Sequence, residues 1–151
     1  MKHISGNAVM SVAASVEDCA ALLEAVDDYP KWHSDVTEVL VLQRVDQRRP
    51  AKVRAKLRVS VGPLRRDLDL VLLVDVQHQR TVTLTRVPHD PADEERFQAT
   101  WLIQPGPVTR IGLELEANLD VPRLVPLGGV GDAIAGSFVS AAATALRSAR
   151  G

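Results

Sequence analysis

The chain has 151 residues, of which 46% are hydrophobic and 25% are charged, and its formal net charge is −1 at pH 7. This composition is typical of one globular domain with a sizeable core, and it excludes a fibrous or wholly disordered chain. The near-neutral balance provides no overall basic surface for a general nucleic-acid binder.

Cysteine usage and hydropathy indicate the cellular setting. Cys19 is the only cysteine, so no disulfide can form within the chain, and we expect a cytoplasmic protein. No uncharged run reaches the roughly 18–20 residues that span a bilayer, so we expect no stable membrane insertion. A monomer and a homodimer both remain open.

The first elements are a strand and a helix. Ile4–Ala13 is predicted as a strand, and Ser15 is predicted to cap a helix whose first turn carries acids. The apolar stripe of this helix consists of Val16, Cys19, Leu23 and Val26. Tyr29–His33 is predicted as a short second helix or turn.

Six strands are predicted next, since apolar and polar residues alternate and short polar or proline-rich turns separate the segments. They are Val36–Val45, Ala51–Val61, Asp67–Val76, Thr81–Val87, Arg96–Gln104 and Thr109–Leu119. The clearest is Ala51–Val61, in which every second residue is apolar and Lys52, Arg54, Lys56 and Arg58 lie between them. We expect it to pair with Asp67–Val76 through a turn at Gly62-Pro63. Consecutive strands with short turns predict an antiparallel sheet.

The chain is predicted to close with a loop and a long helix. Val121–Gly131 is rich in proline and glycine, and Asp132 is the expected N-cap of the helix. The helix of about 18 residues has an apolar ridge, repeated every four residues. The ridge comprises Ile134, Phe138, Ala142 and Leu146. This helix is the only predicted element large enough to cover the apolar face of the sheet.

The order of these elements resembles that of a known family. The segment Val26-Asp27-Asp28-Tyr29-Pro30-Lys31-Trp32, which runs into the Val-rich strand Val36–Leu42, and the closing helix resemble the START-like (SRPBCC, helix-grip) superfamily. The branch that the chain resembles most is the polyketide cyclase/dehydrase and coenzyme-Q-binding group. The resemblance implies one α+β domain over residues 1–151, with a curved antiparallel sheet of about seven strands wrapped around a long C-terminal helix in β-α-α-β6-α order. It also implies a deep apolar cavity that binds a lipid, quinone, polyketide or hormone.

The alternation and the resemblance together predict which side chains line that cavity. They are Trp32, Leu57, Val59, Leu70, Leu72, Leu84, Trp101, Leu113, Leu115, Leu127, Ile134 and Phe138. The inward set of the sheet contains no acid, base or nucleophile in its middle. General acid–base catalysis needs such a group within hydrogen-bond reach of the reacting atom, so the pattern favours binding over chemistry.

Three side chains are candidates for catalysis if the protein is an enzyme, and none is assigned that role. Glu38 lies in a strand whose alternation is ambiguous, because Val39 and Val41 are as apolar as their neighbours. Arg86 is expected either to face inward and anchor a ligand carbonyl or carboxylate, or to lie at an exposed strand end. His33 is expected either to act as a base at the cavity mouth or to face solvent in a turn.

No metal or cofactor is predicted, because the four histidines lack paired ligand spacing and Gly128–Gly131 matches no phosphate-binding motif. Three functions remain open. The protein is a carrier or sensor of a hydrophobic small molecule, a polyketide cyclase/dehydrase-type enzyme, or an interaction module with a vestigial cavity. A cavity of several hundred Å3 would favour the first two, and a titratable group projecting into it would favour the enzyme.

Overall fold

Seven strands form one antiparallel sheet in residues 2–61, 64–120 and 127–150, the parts of the chain that the computed structural model describes. The strands are β1 (Lys2–Val12), β2 (Val36–Val45), β3 (Arg49–Val61), β4 (Leu64–Gln77), β5 (Thr81–Arg86), β6 (Arg96–Gln104) and β7 (Thr109–Leu119). Their order across the sheet is β1-β7-β6-β5-β4-β3-β2. The helices are α1 (Val16–Glu24), a 3-10 helix (Val26–Lys31) and α2 (Val130–Arg150). The predicted α+β helix-grip fold is confirmed.

The strict alternation of β3 gives the sheet one dry face and one wet face. Val53 pairs with Leu72 and Ala55 pairs with Leu70, and all four side chains are buried. On the wet face, Arg54 donates two hydrogen bonds to the carboxylate of Asp69, at 2.8 and 2.6 Å. Opposite charges across neighbouring strands fix the register of the pair and contribute little stability in water. The predicted turn residues Gly62 and Pro63 lie outside the described residues.

Helix α1 begins as the sequence predicts. Ser15 has an extended backbone and its hydroxyl accepts a hydrogen bond from the amide of Asp18 at 3.0 Å, as an N-cap does. Glu17 and Asp18 lie in the first turn, and Cys19 and Leu23 are fully buried. The helix, whose predicted stripe reaches Val26, is shorter than expected, since it ends at Glu24. A 3-10 helix over Val26–Lys31 follows, where the sequence predicts a short second helix or turn over Tyr29–His33.

Helix α2 lies across the dry face and begins earlier than predicted. It starts at Val130, so the interpretation of Asp132 as N-cap is wrong. Asp132 instead lies in the first turn, and its carboxylate accepts a hydrogen bond from the amide of Asn7 in β1 at 3.0 Å. The residues 121–126 of the predicted loop lie outside the described residues.

Two glycines bring α2 close to β1. A Cβ atom at Gly6 would overlap the backbone of Gly131, and a Cβ atom at Gly131 would overlap the backbone of Ser5. On the side of α2 that packs into the core, three of the buried residues are alanines, Ala135, Ala142 and Ala143, and Val139 and Leu146 lie between or beside them. The helix is therefore anchored tightly at its start, while Ile134 and Phe138 remain only partly buried.

Candidate ligand-binding cavity

An apolar space with two lobes lies between the dry face of the sheet and α2. The larger lobe has a volume of about 140 Å3 and the smaller lobe about 40 Å3. The two lobes share one wall, which comprises Leu57, Phe97, Leu115, Ile134 and Phe138. These five side chains form what we call the partition.

The smaller lobe is apolar on all sides. Outside the partition it is lined by Val26, Tyr29, Val36, Val39, Ala55, Leu72, Leu84, Ala99, Trp101 and Leu113. Among the described residues, its polar side-chain groups are the indole N–H of Trp101 and the phenol of Tyr29, whose hydroxyl donates a hydrogen bond of 2.6 Å to the carbonyl of Leu23. Burial raises the pKa of Tyr29, so the phenol stays protonated and engaged with the backbone.

The larger lobe carries polar groups at its rim. Outside the partition it is lined by Ile4, Asp35, Arg58, Val59, Ser60, Leu68, Ala117, Leu119 and Ser137. Leu57 and Val59 are partly buried against the core, and Arg58 and Ser60 between them are exposed. The side chains of Arg58 and Ser60 thus belong to the wet face of β3. This leaves Asp35 and Ser137 as the polar side chains best placed to meet a ligand.

His33 lies behind this rim and is buried, with 3% of its surface exposed. Its Nδ1 accepts a hydrogen bond from the amide of Asp35 at 3.0 Å, so the ring proton is on Nε2. Nε2 is 3.3 Å from the hydroxyl oxygen of Ser137 and donates to it. Burial lowers the pKa of His33, with a smaller opposing effect from the Asp35 carboxylate, and the ring is therefore neutral at pH 7. The expectation of a solvent-facing His33 is wrong, because α2 covers the ring.

An aromatic cluster surrounds this histidine. The ring of His33 lies 4.0 Å from that of Phe138 between centroids, and Trp32 contacts Tyr29 at 4.9 Å and Trp101 at 6.2 Å. The indole nitrogen of Trp32 is buried without a hydrogen-bond partner among the described residues. Four of the five aromatic residues and the one buried histidine thus fix the segment after the 3-10 helix against β6 and α2.

The predicted lining residues divide into two groups. Those found on a lobe wall are Leu57, Val59, Leu72, Leu84, Trp101, Leu113, Leu115, Ile134 and Phe138. The other three predicted residues, Leu70, Trp32 and Leu127, line neither lobe. Leu70 is buried in the core, and Trp32 and Leu127 are partly buried against it. The inward face predicted for Arg96–Gln104 includes Phe97, which lines both lobes, whereas the sequence interpretation missed Asp35 and Ser137. Ser137 could have been found, because it directly precedes the predicted lining residue Phe138.

Glu38 does not point into the cavity, so its candidacy as an inward catalytic acid is wrong. A β-bulge lies between Val36 and Glu38, where the register of β2 against β3 shifts. The bulge moves Val39 onto the dry face and Glu38 onto the wet face. Glu38 there lies 3.4 Å from the ammonium of Lys56, with about half of its side chain exposed (45%).

Arg86 is buried but lines neither lobe. Both expectations for it are therefore wrong: it does not lie at an exposed strand end, and it does not face a ligand in the cavity. Its guanidinium donates to the carboxylate of Asp93 at 2.7 Å and to the carbonyl of Glu95 at 2.9 Å. The amides of His89 and Glu95 also donate to Asp93. Arg86 and these amides hold the pKa of Asp93 well below its usual range. The pair fastens the connection between β5 and β6.

Two further properties concern metals and membranes. In the parts of the chain that the structure describes, no three His, Cys, Asp or Glu side chains come together as a metal site would require. None of the described helices combines the length and the hydropathy of a bilayer span.

Comparison with known proteins places the chain in a family. The family model described as polyketide cyclase/dehydrase and lipid transport matches residues 12–147. Among solved structures, a START superfamily protein from Mycobacterium smegmatis is similar, with a TM-score of 0.76 and 18% identity over 98% of this chain and 99% of the other. A protein from Thermus thermophilus has a TM-score of 0.74 and 15% identity over 97% of this chain and 99% of the other.

A third similar structure is the di-domain ARO/CYC StfQ from the steffimycin biosynthetic pathway. Its TM-score is 0.65 and its identity 14%, over 98% of this chain and 52% of StfQ. At these low identities, the similar structures show that the fold is shared. A comparison with curated proteins gives no match. The family model covers most of the chain, the helix-grip fold agrees with it, and the chain therefore belongs to the polyketide cyclase/dehydrase and lipid transport family.

Proposed function

We propose that the protein binds a hydrophobic small molecule, such as a lipid, quinone or polyketide-like compound, between the sheet and α2, as a carrier or sensor. The observation that carries this proposal is the apolar space with two lobes, whose smaller lobe is lined by aliphatic and aromatic side chains and by a phenol already engaged with the backbone. Burying apolar ligand surface there contributes roughly 25 cal/mol per Å2 before the costs of association.

The size of the lobes limits what binds without rearrangement. A cavity of ~150 Å3 in an apolar core holds a molecule such as benzene, whereas typical ligand pockets have roughly 300–1,000 Å3. The larger lobe, at about 140 Å3, fits a ring-sized group. A longer ligand needs the partition side chains to turn aside so that both lobes become one site. The small volume is also what supports the alternative of an interaction module with a vestigial cavity.

A second candidate function is a cyclase or dehydrase acting in the same cavity. The specific observation in its favour is Asp35, the one acidic residue among the described residues that line the larger lobe. A carboxylate can remove a proton beside a ligand carbonyl, which is the first step of an aldol-type cyclisation. His33 is not placed as this base, because the backbone amide of Asp35 donates to its Nδ1 and its Nε2 proton is directed at Ser137.

The test of the binding function combines native mass spectrometry with lipid extraction of the purified protein and a thermal-shift screen. The screen uses fatty acids, quinones and aromatic polyketide-like compounds. Leu113→Asp places a lone carboxylate in the smaller lobe, and Leu73→Asp, on the wet face, is its matched control. We expect Leu73→Asp to keep ligand binding and Leu113→Asp to lose it, with folding checked by circular dichroism.

The outcomes separate the three functions. Failure of every compound to bind a folded wild-type protein would overturn the carrier and enzyme functions and leave the interaction module. Chemical conversion of a bound compound, lost in Asp35→Asn while binding persists, would replace the carrier function by the enzyme.

A further inference from the structure

The polar groups of the cavity are concentrated at one end. The smaller lobe ends in aromatic and aliphatic side chains, whereas Asp35 and Ser137 lie on the wall of the larger lobe. Ser137 is exposed at the rim and stands on α2 between the partition residues Ile134 and Phe138. A ligand with an apolar body and one polar end is therefore best accommodated with its polar end beside Ser137.

The hydrogen bonds at this end decide which polar group is accepted. The amide of Asp35 can only donate, so His33 Nδ1 is an acceptor and Nε2 carries the proton. The Ser137 oxygen consequently accepts from His33, which leaves the hydroxyl proton available to a third group. Ser137 thus presents a donor, oriented by a buried ring, at the wall of the cavity.

We propose that Ser137, positioned by His33, is the polar anchor of the cavity and selects ligands that end in a neutral hydrogen-bond acceptor, such as a ketone or ester carbonyl. This inference rests on the proposed binding function. Asp35 adds discrimination, because it lines the same lobe and its negative charge repels a ligand carboxylate. His33 is a positioning residue, since it acts through Ser137 and lines neither lobe.

The test measures the affinity of three probes of similar size by isothermal titration calorimetry at pH 8. The probes are cumene, which has no acceptor, acetophenone, which has a carbonyl, and benzoate. We expect Ser137→Ala to weaken acetophenone binding by about threefold to tenfold, the value of one neutral hydrogen bond, and to leave cumene unchanged. Ser137→Thr keeps a hydroxyl and should retain acetophenone binding. Ser140→Ala, one turn further along the exposed side of α2, is the matched control and should change neither affinity.

Two more variants test the positioning and the charge. His33→Asn keeps an acceptor for the Asp35 amide but loses the donor to Ser137, so it should weaken acetophenone as Ser137→Ala does. The double variant should then lose no more than either single variant, because both act on one hydrogen bond. Asp35→Asn should strengthen benzoate binding relative to acetophenone.

Each outcome bears on a different claim. If cumene and acetophenone bind and Ser137→Ala weakens neither or both equally, the anchor is overturned while the proposed binding function stands. If Asp35→Asn leaves the ratio of benzoate to acetophenone affinity unchanged, the discrimination against acids is overturned. Binding of none of the three probes to the wild-type protein overturns the anchor together with the cavity as a ligand site.

Discussion

A single buried ring, that of His33, connects three parts of the molecule. It accepts from the backbone at the start of β2, donates to α2 and packs on Phe138. A neutral imidazole can accept at one nitrogen and donate at the other, whereas an imidazolium can only donate. The arrangement therefore depends on one protonation state, and its stability depends on pH.

Protonation of His33 should destabilise the fold. Burial lowers the pKa of the folded-state ring below 6.5, and the unfolded chain retains a value of about 6.5. The stability that the neutral ring contributes is fully present above pH ~6.5 and is lost as the pH falls from there through the folded pKa. Urea unfolding between pH 8 and 5 should show this decrease in the wild-type protein.

The matched variant for this measurement is His33→Asn, which keeps the acceptor and cannot be protonated. Its free energy of unfolding should be lower than that of the wild type at pH 8 and should fall less steeply towards pH 5. Equal slopes for the two proteins would show that His33 does not carry the effect. The carboxylate of Asp35 cannot cause the predicted loss of stability, because its attraction for the imidazolium raises the pKa of His33.

The Arg86–Asp93 pair predicts a second, more acidic pH dependence. The pKa of Asp93 is held below its usual value of 3.8, so the stabilisation is present above about pH 3.8 and is lost as the pH falls through the folded pKa. Asp93→Asn should therefore unfold at a lower urea concentration than the wild type at pH 7. Glu94→Gln, at a neighbouring position outside the pair, is the control and should unfold like the wild type. Identical midpoints for both variants would contradict a structural role for the pair.

At the scale of the elements, the contact between β1 and α2 depends on two small residues. Gly6→Ala should lower the free energy of unfolding, because its Cβ would overlap the backbone of Gly131 and push the strand from the helix. Gly136→Ala is the control on α2. Its Cβ meets nothing within 4 Å, and alanine is the better helix former, so this variant should be more stable by about 0.8–1.0 kcal/mol. Thermal unfolding of both variants checks the pair, and a stabilising Gly6→Ala would contradict the close contact.

The elements themselves were largely predictable from the sequence. The bounds of β2, β6 and β7 agree with the predicted ones. The alternation of Ala51–Val61 predicted its two faces, and the short connection after it predicted its pairing with the next strand. Local periodicity carries this information, since a strand with one dry face must alternate. The bulge in β2 was not predictable, because Val39, Leu40 and Val41 are all apolar and give no sign of which residue is displaced.

The site was less predictable than the fold. The apolar lining followed from strand parity, but the burial of His33 and Arg86 depends on α2 and on the Asp93 loop, which are distant or irregular in sequence. Ser137 and Asp35 line the same lobe only because tertiary packing brings α2 to the start of β2, so no sequence spacing predicts that they belong to one site. Burial of a polar residue is decided by its partners, and these are visible only in the folded structure.

At the scale of the whole molecule, the sheet and α2 enclose a space that the partition divides. Phe138 belongs to the partition and also packs on His33 and Trp101. The aromatic cluster that stabilises the interior therefore also limits the space for a ligand. We therefore expect that replacing a partition residue by a smaller one changes both the size of the ligand that binds and the free energy of unfolding.

Phe138→Leu should join the two lobes and shift binding towards larger ligands. We expect the affinity for naphthalene, relative to that for toluene, to rise in this variant, because a two-ring compound needs space that the phenyl ring occupies in the wild type. The variant should lose less than the ~3–5 kcal/mol of a buried Phe→Ala, since Phe138 is only partly buried and leucine keeps much of its volume.

The measurement is ligand-dependent unfolding in urea. A ligand that binds the folded state alone raises the free energy of unfolding by RT ln(1 + [L]/Kd), or about 2.7 kcal/mol at a hundredfold excess over Kd, so each affinity follows from the shift. Ile103→Val is the matched control, because Ile103 is buried and lines neither lobe. It should cost about 0.5–1.5 kcal/mol and leave the ratio of the two affinities as in the wild type. An unchanged ratio in Phe138→Leu as well would mean that a ligand does not use the two lobes as one site.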